Sequence, residues 1–456
     1  MSHNPNKVPW RTGLAYGAPA IGAGYMYLLM SLYVMKFSTD VLLIAPAVMG
    51  AIFSISRIWD AISDPLVGYF SDITRSRLGR RRIWILVSCV PISLGFLAVF
   101  SPPTAFQGQD LGWWMLFSIL GFYSAMTLFF VPHLALGAEL SSDYHERSRL
   151  FGIRHIFYTI GSILSLGVMY YLINEEFRPG GEVRNLASDL ALYSVIIMTC
   201  LIIFSVSRLK ENPIFQNRSV KNPYKALRDI WNNEHARLLI VVTFIENIGS
   251  AAIATLTLYI SQYVVGAPTW APLIILAYMI PSTLSVPIWI PLSRSFGKIK
   301  VWVFGMSLTG LSFGGMFSLP FISTVEERLV VIIVLAFFAG LAAGCGGTIG
   351  PSVQGDVIDY DEYKTGERKE GSYFSAWNFV YKSAVGVMLL LTGFVLEFSG
   401  FTPNQDQTME VKIALVSLYG LLPLICYTIG AILFSRFKLG EQEYSFIRKE
   451  LDRDKK

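Results

Sequence analysis

Two aspartates, Asp60 and Asp64, lie four residues apart inside a largely apolar run. On a helix that spacing puts both carboxylates on one face. Ser63 stands beside them, Arg57 one turn earlier, and Pro65 next, where a helix loses a backbone donor. The stretch from Arg57 to Trp84 reads RIWDAISDPLVGYFSDITRSRLGRRRIW and ends in Arg75, Arg77, Arg80, Arg81 and Arg82. Carboxylate and hydroxyl oxygens suit hard cations or a proton, and acids inside an apolar segment mark ion pathways.

At 1.5 Å per residue, Asp60 lies roughly 16 Å from Ser71, near the middle of a hydrocarbon core about 30 Å thick. A carboxylate at that depth costs several kcal/mol unless a cation, a proton or a donor compensates it. An internal salt bridge to Arg57 or Lys382 is one solution, and a bound cation or proton is the other. Thr127, Glu246 and Lys382 are expected at similar depth on other helices. The two acids on one face favour a cation or proton site at Asp60 and Asp64, which would be the metal ligands if the ion is Na+.

Candidate substrate contacts are Tyr25, Tyr27, His133, Arg154, Glu246, Trp377, Asn378 and Lys382. The two tyrosines, with Trp377 and Asn378, offer hydrogen bonds and stacking. His133 suits either a hydrogen-bonded packing role or a proton or substrate contact. Arg154 sits near a membrane edge, where it either snorkels or points inward as an anchor. Arg75, Glu139, Asp356 and Asp359 cluster near span ends and suit a gate of salt bridges. Glu139 has Asp143, Glu146, Arg147 and Arg149 nearby, and the loop GDVIDYDEYKTGERKEG from Gly355 runs from acids to bases.

The elements that hold these residues follow from composition. The chain has 456 residues, of which 53% are apolar and 15% charged. A soluble domain carries about 25% charged residues. Twelve apolar runs are long enough to span a bilayer: 13–35, 46–70, 83–101, 112–138, 150–173, 189–207, 237–262, 271–291, 301–320, 328–350, 373–397 and 411–435. Backbone polar groups in lipid must be satisfied internally, so the expectation is an all-α integral membrane protein of twelve transmembrane helices. The glycines of the first run (Gly13, Gly17, Gly22 and Gly24) suit close helix packing or a thin cavity wall.

Lys and Arg crowd the N-terminus, the even-numbered loops and the C-terminus. That bias predicts both termini in the cytoplasm, and it explains the basic loops by topology rather than by nucleic-acid binding. No cleavable signal peptide is read; the first apolar run is long enough to be a retained helix. The four cysteines fall inside predicted spans, with no disulfide or metal spacing. No Ser/His/Asp, metal-ligand or phosphate-loop pattern points to an enzyme.

A basic central segment, 208–236, separates two sets of six spans, giving bundles at 1–207 and 237–435 and a cytoplasmic tail at 436–456. The loop RLGRR from Arg77 has a weaker echo in SFGK from Ser295. Matching features in two six-helix halves fit a transporter built from repeats.

The sequence resembles the glycoside–pentoside–hexuronide:cation symporter family of the major facilitator superfamily over nearly its whole length. The resemblance rests on RIWDAISDPLVG from Arg57 with its Arg-rich loop, VPHLALGAEL from Val131 followed by Glu146-Arg147, and GDVIDYDEYK from Gly355 leading to Lys382. It implies the major facilitator fold, two six-helix bundles rocking around a central site. It also implies that Asp60, Ser63, Asp64 and Thr127 hold the coupling ion and that Lys382 is the family's lysine. Ser63 replaces an asparagine, which leaves Na+ and H+ both open. Gly24 and Phe130 stand where the family's galactoside-holding acids lie, and Leu134 replaces a tryptophan, so melibiose itself is not the expected substrate. Arg154 approximates a sugar-site arginine.

The expected function is thus cation-coupled symport of a sugar or glycoside by alternating access, without a cofactor beyond Na+ or H+. The alternatives are an amphipathic lipid such as a lysophospholipid, favoured slightly by Phe130 and Leu134, or a non-transporting sensor on the same fold. The expected partners are a small-molecule substrate and the bilayer of a plasma (inner) membrane. The chain is expected to act as a monomer.

Overall fold

The computed structural model describes residues 8–140, 144–178, 181–211, 230–366, 370–440, 443–444, 446–447 and 449–450. Among these the regular structure is helical and contains no strand. The chain divides into two units, 1–220 and 221–456, at a point inside the stretch read as the central segment. Asp143, Arg368 and Lys369, together with residues 212–229, lie outside the described residues, as do the side chains of Glu146, Arg147 and Arg149.

The first unit begins with α1 (Trp10–Leu32), which continues through the short α2 (Val34–Lys36) and a π-helical turn, Phe37–Val41, after a bend of 47°. Next come α3 (Pro46–Ile73), α4 (Arg82–Val87) with α5 (Cys89–Phe100) as one span, α6 (Gly108–Glu139), α7 (Tyr144–Glu176) and α8 (Val183–Arg208). Pro46 opens α3 where a missing N–H costs nothing. Helix α1 packs on α7 and α8, α3 on α6, and α5 on α6 and α8. The α1–α7 contact is close because each helix offers a glycine to the other's backbone. A Cβ on Gly24 would meet the Tyr158 carbonyl, and one on Gly161 would meet that of Ile21. The span-1 glycines therefore serve packing.

The second unit comprises α9 (Glu234–Tyr259), α10 (Ala271–Leu284), α11 (Val286–Phe296), α12 (Lys298–Gly315), α13 (Val325–Thr365), α14 (Glu370–Phe398), α15 (Met409–Val416) and α16 (Leu422–Phe434). Asn233 caps α9 through the backbone N–H groups of His235 and Ala236, and Thr324 caps α13 through that of Glu327. Gly366, in the left-handed region at φ 67°, ends α13. The span starting at Pro268 breaks between α10 and α11 with a bend of 49°. Ser285 Oγ and Trp289 Nε1 both donate to the Leu341 carbonyl at that break, at 3.0 and 2.8 Å.

Packing in the second unit repeats that of the first. Its first span (α9) meets the fifth (α14) and sixth (α15–α16), its second (α10–α11) meets the fourth (α13), and its third (α12) meets the fourth and sixth. Two halves with one internal arrangement are the signature of a repeat-built transporter.

Among the described residues, nine helices are long and apolar enough to cross a membrane, or up to eleven with each bent pair taken as one span. The twelve expected exceed this by α3, whose Arg57, Asp60 and Asp64 lower its hydropathy. Large exposed side chains such as Trp113, Phe117, Ile196, Leu284 and Phe398 give the helices a lipid-facing exterior.

Candidate functional site

In the first unit, α3 and α6 bring acids, a hydroxyl and an arginine together. Arg57 Nη1 lies 3.3 Å from Asp60 Oδ2, and both residues are 3% exposed. The guanidinium sits over the Tyr123 ring at 3.8 Å, where cation–π attraction adds to the ion pair. One turn on, Thr127 Oγ1 donates to Asp64 Oδ1 at 2.9 Å. Trp59 Nε1 donates to Ser124 Oγ at 2.7 Å, a second tie between these helices. Asp64 is half-buried, so its side chain is the accessible part of the set, while Thr127 is buried.

Asp64 and Thr127 offer oxygen donors of the kind that suits a hard cation or a proton, with Arg57 already beside Asp60. The Ser63 hydroxyl is turned away, towards the Asp60 backbone carbonyl at 3.3 Å. Among the described residues, no group of three His, Cys, Asp or Glu side chains is placed for a metal ion.

An aromatic ladder runs from this set across the unit. Tyr27 meets Tyr123 and Phe130 edge-on, at 6.3 and 6.1 Å. Arg154, half-buried, stands over Phe130 at 5.9 Å. Arg154 therefore faces inward along the ladder instead of snorkelling. Tyr25 is turned to α8, where its hydroxyl pairs with Ser194. His133 packs among aromatic side chains. It is fully buried, stacked between Tyr16 (4.6 Å) and Phe129 (4.9 Å), with Nε2 2.9 Å from the Tyr16 carbonyl.

In the second unit, Glu246 on α9 lines a cavity of about 340 Å³ with residues from α10, α12, α13 and α16. Lys382, on the neighbouring α14, is half-buried. Trp377 packs in the unit's apolar core beside Tyr373, with ring centres 5.5 Å apart, while Asn378 is exposed. Of these three, none lines the Glu246 cavity.

The four gate candidates also separate. Glu139 Oε1 accepts from Arg80 Nη2 at 2.7 Å and from Arg81 Nε at 3.4 Å. Lys298 Nζ donates to Asp356 Oδ2 at 2.6 Å. Each half thus pins the loop after its second span to the end of its fourth, which gives the RLGRR and SFGK echo a physical meaning. Asp359 accepts from Tyr444 Oη in the C-terminal tail at 2.9 Å, and Arg75 is exposed.

Sequence reasoning missed two clusters. Glu211, at the edge of the central segment, accepts the backbone N–H groups of Arg80, Arg81 and Arg82 at 2.7–2.9 Å. Lys36 Nζ is buried between Asp40 Oδ2 (3.2 Å) and Glu176 Oε1 (2.5 Å). The i,i+4 spacing of Lys36 and Asp40 was a usable signal, but nothing local pointed to Glu176.

A family model described as MFS/sugar transport protein matches residues 15–441. The chain is 25% identical to an inner membrane symporter, YicJ, of Escherichia coli (strain K12), with 93% of this chain and 90% of that one covered. It is 25% identical to an isoprimeverose transporter of Lactiplantibacillus pentosus (96% and 90% covered). It is also 25% identical to a sodium-dependent lysophosphatidylcholine symporter of Gallus gallus (91% and 84%). Its fold is similar to that of a crystallised D-xylose-proton symporter, with a TM-score of 0.64 at 15% identity and 94% and 97% covered.

Proposed function

The chain belongs to the MFS/sugar transport protein family, a family of membrane transporters and not of enzymes, and from that premise we propose cation-coupled symport of a sugar or glycoside. The observation that carries the coupling is the α3–α6 charge set. Its Asp64 carboxylate, hydrogen-bonded by the Thr127 hydroxyl, offers oxygen donors to Na+ or H+. Binding there adds positive charge to the set and changes the packing of α3 on α6. By linkage, a substrate that favours the ion-bound state must tighten ion binding by the same factor.

The substrate reading rests on the family and on the relative that carries isoprimeverose. The distribution of Lys and Arg supports a topology with both termini in the cytoplasm of an inner or plasma membrane. The pairs Arg80/Arg81–Glu139 and Lys298–Asp356 then brace the cytoplasmic ends of the two halves. A lysolipid substrate is the second reading. It is favoured by the lysophosphatidylcholine relative and by the exposed apolar side chain of Leu134.

The test is uptake into liposomes that contain the full-length protein. Neutral glycosides, uronates and lysolipids are offered with and without Na+, and across an imposed pH gradient. Sugar-dependent ion flux that disappears in Asp64→Asn supports the proposal. Uphill sugar uptake by Asp64→Asn at the wild-type level sinks the ion assignment, and flux driven by lysolipid alone replaces the sugar.

A further inference from the structure

The chain beyond α16 turns back onto its own half. Phe437, Leu439 and Ile447 are buried and belong to the second unit's apolar core, together with Val357, Ile358 and Tyr360 of α13. Phe437 also meets the ring of His235, at the start of α9, with centres 5.3 Å apart. Beyond Gly440 the sequence is mostly charged. A charged terminal segment stays in solvent unless something ties it down. Ile447, 2% exposed, shows that this one is docked.

The docked segment lands on the Lys298–Asp356 brace. Tyr444 Oη donates to Asp359 Oδ2 at 2.9 Å, one turn along α13 from Asp356. Lys298 Nζ, which reaches Asp356 at 2.6 Å, stands 5.4 Å from the centre of the Tyr444 ring. The Lys298 side chain is 37% exposed, and an ion pair that open is screened by water and salt and holds little by itself. The tail adds a cation–π contact to the lysine and a charge-assisted hydrogen bond to the neighbouring acid. One side chain thus touches both elements that the brace joins, α12 through Lys298 and α13 through Asp359.

We propose that the C-terminal tail is an autoinhibitory strap. Seated through Ile447 and clasped by Tyr444, it keeps the α11–α12 turn tied to the end of α13 and slows the transport cycle. A rearrangement that parts α12 from the end of α13 must break the Lys298–Asp356 pair. With the tail in place it must also pull Tyr444 away from Lys298 or from Asp359. The restraint belongs to the second unit alone, and its effect on transport rests on the symport reading above.

The experiment uses two full-length variants, in lipid nanodiscs and in proteoliposomes. Tyr444→Phe removes the hydroxyl and keeps the ring beside Lys298. Ile447→Asp puts a charge into the apolar seat and undocks the segment. Amide deuterium exchange is followed over 294–301 and 356–363, with α10 as the internal control. Exchange in both probe segments should accelerate by about tenfold or more in Ile447→Asp and by about threefold in Tyr444→Phe, with α10 unchanged. Initial sugar uptake should rise by about twofold or more in each variant. Exchange at the wild-type rate in both variants overturns the strap. Acceleration that extends equally to α10 also overturns it, because the tail is then an ordinary part of the core. Faster local exchange with uptake unchanged or slower overturns the autoinhibition. Absence of sugar-dependent flux in the wild type defeats the symport reading instead, and the exchange comparison still decides whether the tail restrains the brace.

Discussion

Thr127→Val removes a single hydroxyl and keeps the shape of the side chain, so it interrogates the ion site with little disturbance to packing. In the wild type that hydroxyl donates to Asp64 Oδ1 at 2.9 Å, and Thr127 is 5% exposed. A hydrogen bond to a charged group contributes about 1.5–3 kcal/mol. At 1.4 kcal/mol per factor of ten, ion affinity should change by about 10- to 150-fold. If Na+ binds at Asp64, the hydroxyl oxygen is lost as a ligand and the half-saturating Na+ concentration rises. The assay is initial sugar uptake into proteoliposomes against Na+ at fixed pH, then against pH without Na+. Half-saturation unchanged in both series would refute the assignment of Asp64 and Thr127 to the ion.

Breaking the buried Arg57–Asp60 pair with Arg57→Gln should destabilise the protein by about 3–5 kcal/mol, because a charge is left in a poorly hydrated place. The double variant Arg57→Gln/Asp60→Asn should recover most of that; additive losses in denaturant unfolding would show that the two side chains are not coupled. Lys36→Met should cost a similar amount by leaving Asp40 and Glu176 without the ammonium between them, and adding Glu176→Gln should restore part of the thermal stability. Glu211→Ala removes the acceptor of three backbone N–H groups, so amide exchange at Arg80, Arg81 and Arg82 should accelerate by tenfold or more. Exchange at the wild-type rate would mean that Glu139 alone holds that loop.

What the sequence determined by itself was local or additive. Apolar runs as long as a bilayer is thick require helices, whatever their neighbours, because lipid offers the backbone no hydrogen bonds. The shared face of Asp60 and Asp64 follows from four residues of helix, and the alternation of Lys and Arg among the loops from simple counting. What tertiary structure decided was which way each helix is turned about its own axis. Helix α3 is amphipathic, so its charged face was legible, whereas α6 and α13 are apolar nearly all round and carry no such marker. Depth along α6 could be estimated for Thr127, but only packing aimed it at Asp64. The same packing sealed His133 between two aromatic rings. Glu176 lies more than 100 residues from its partner Lys36, and Glu211 more than 100 from the arginine loop that it holds. The space around Glu246 exists because five helices surround it and α13 lines it with glycine. No single segment encodes that space, since a cavity is a property of the surfaces that fail to meet.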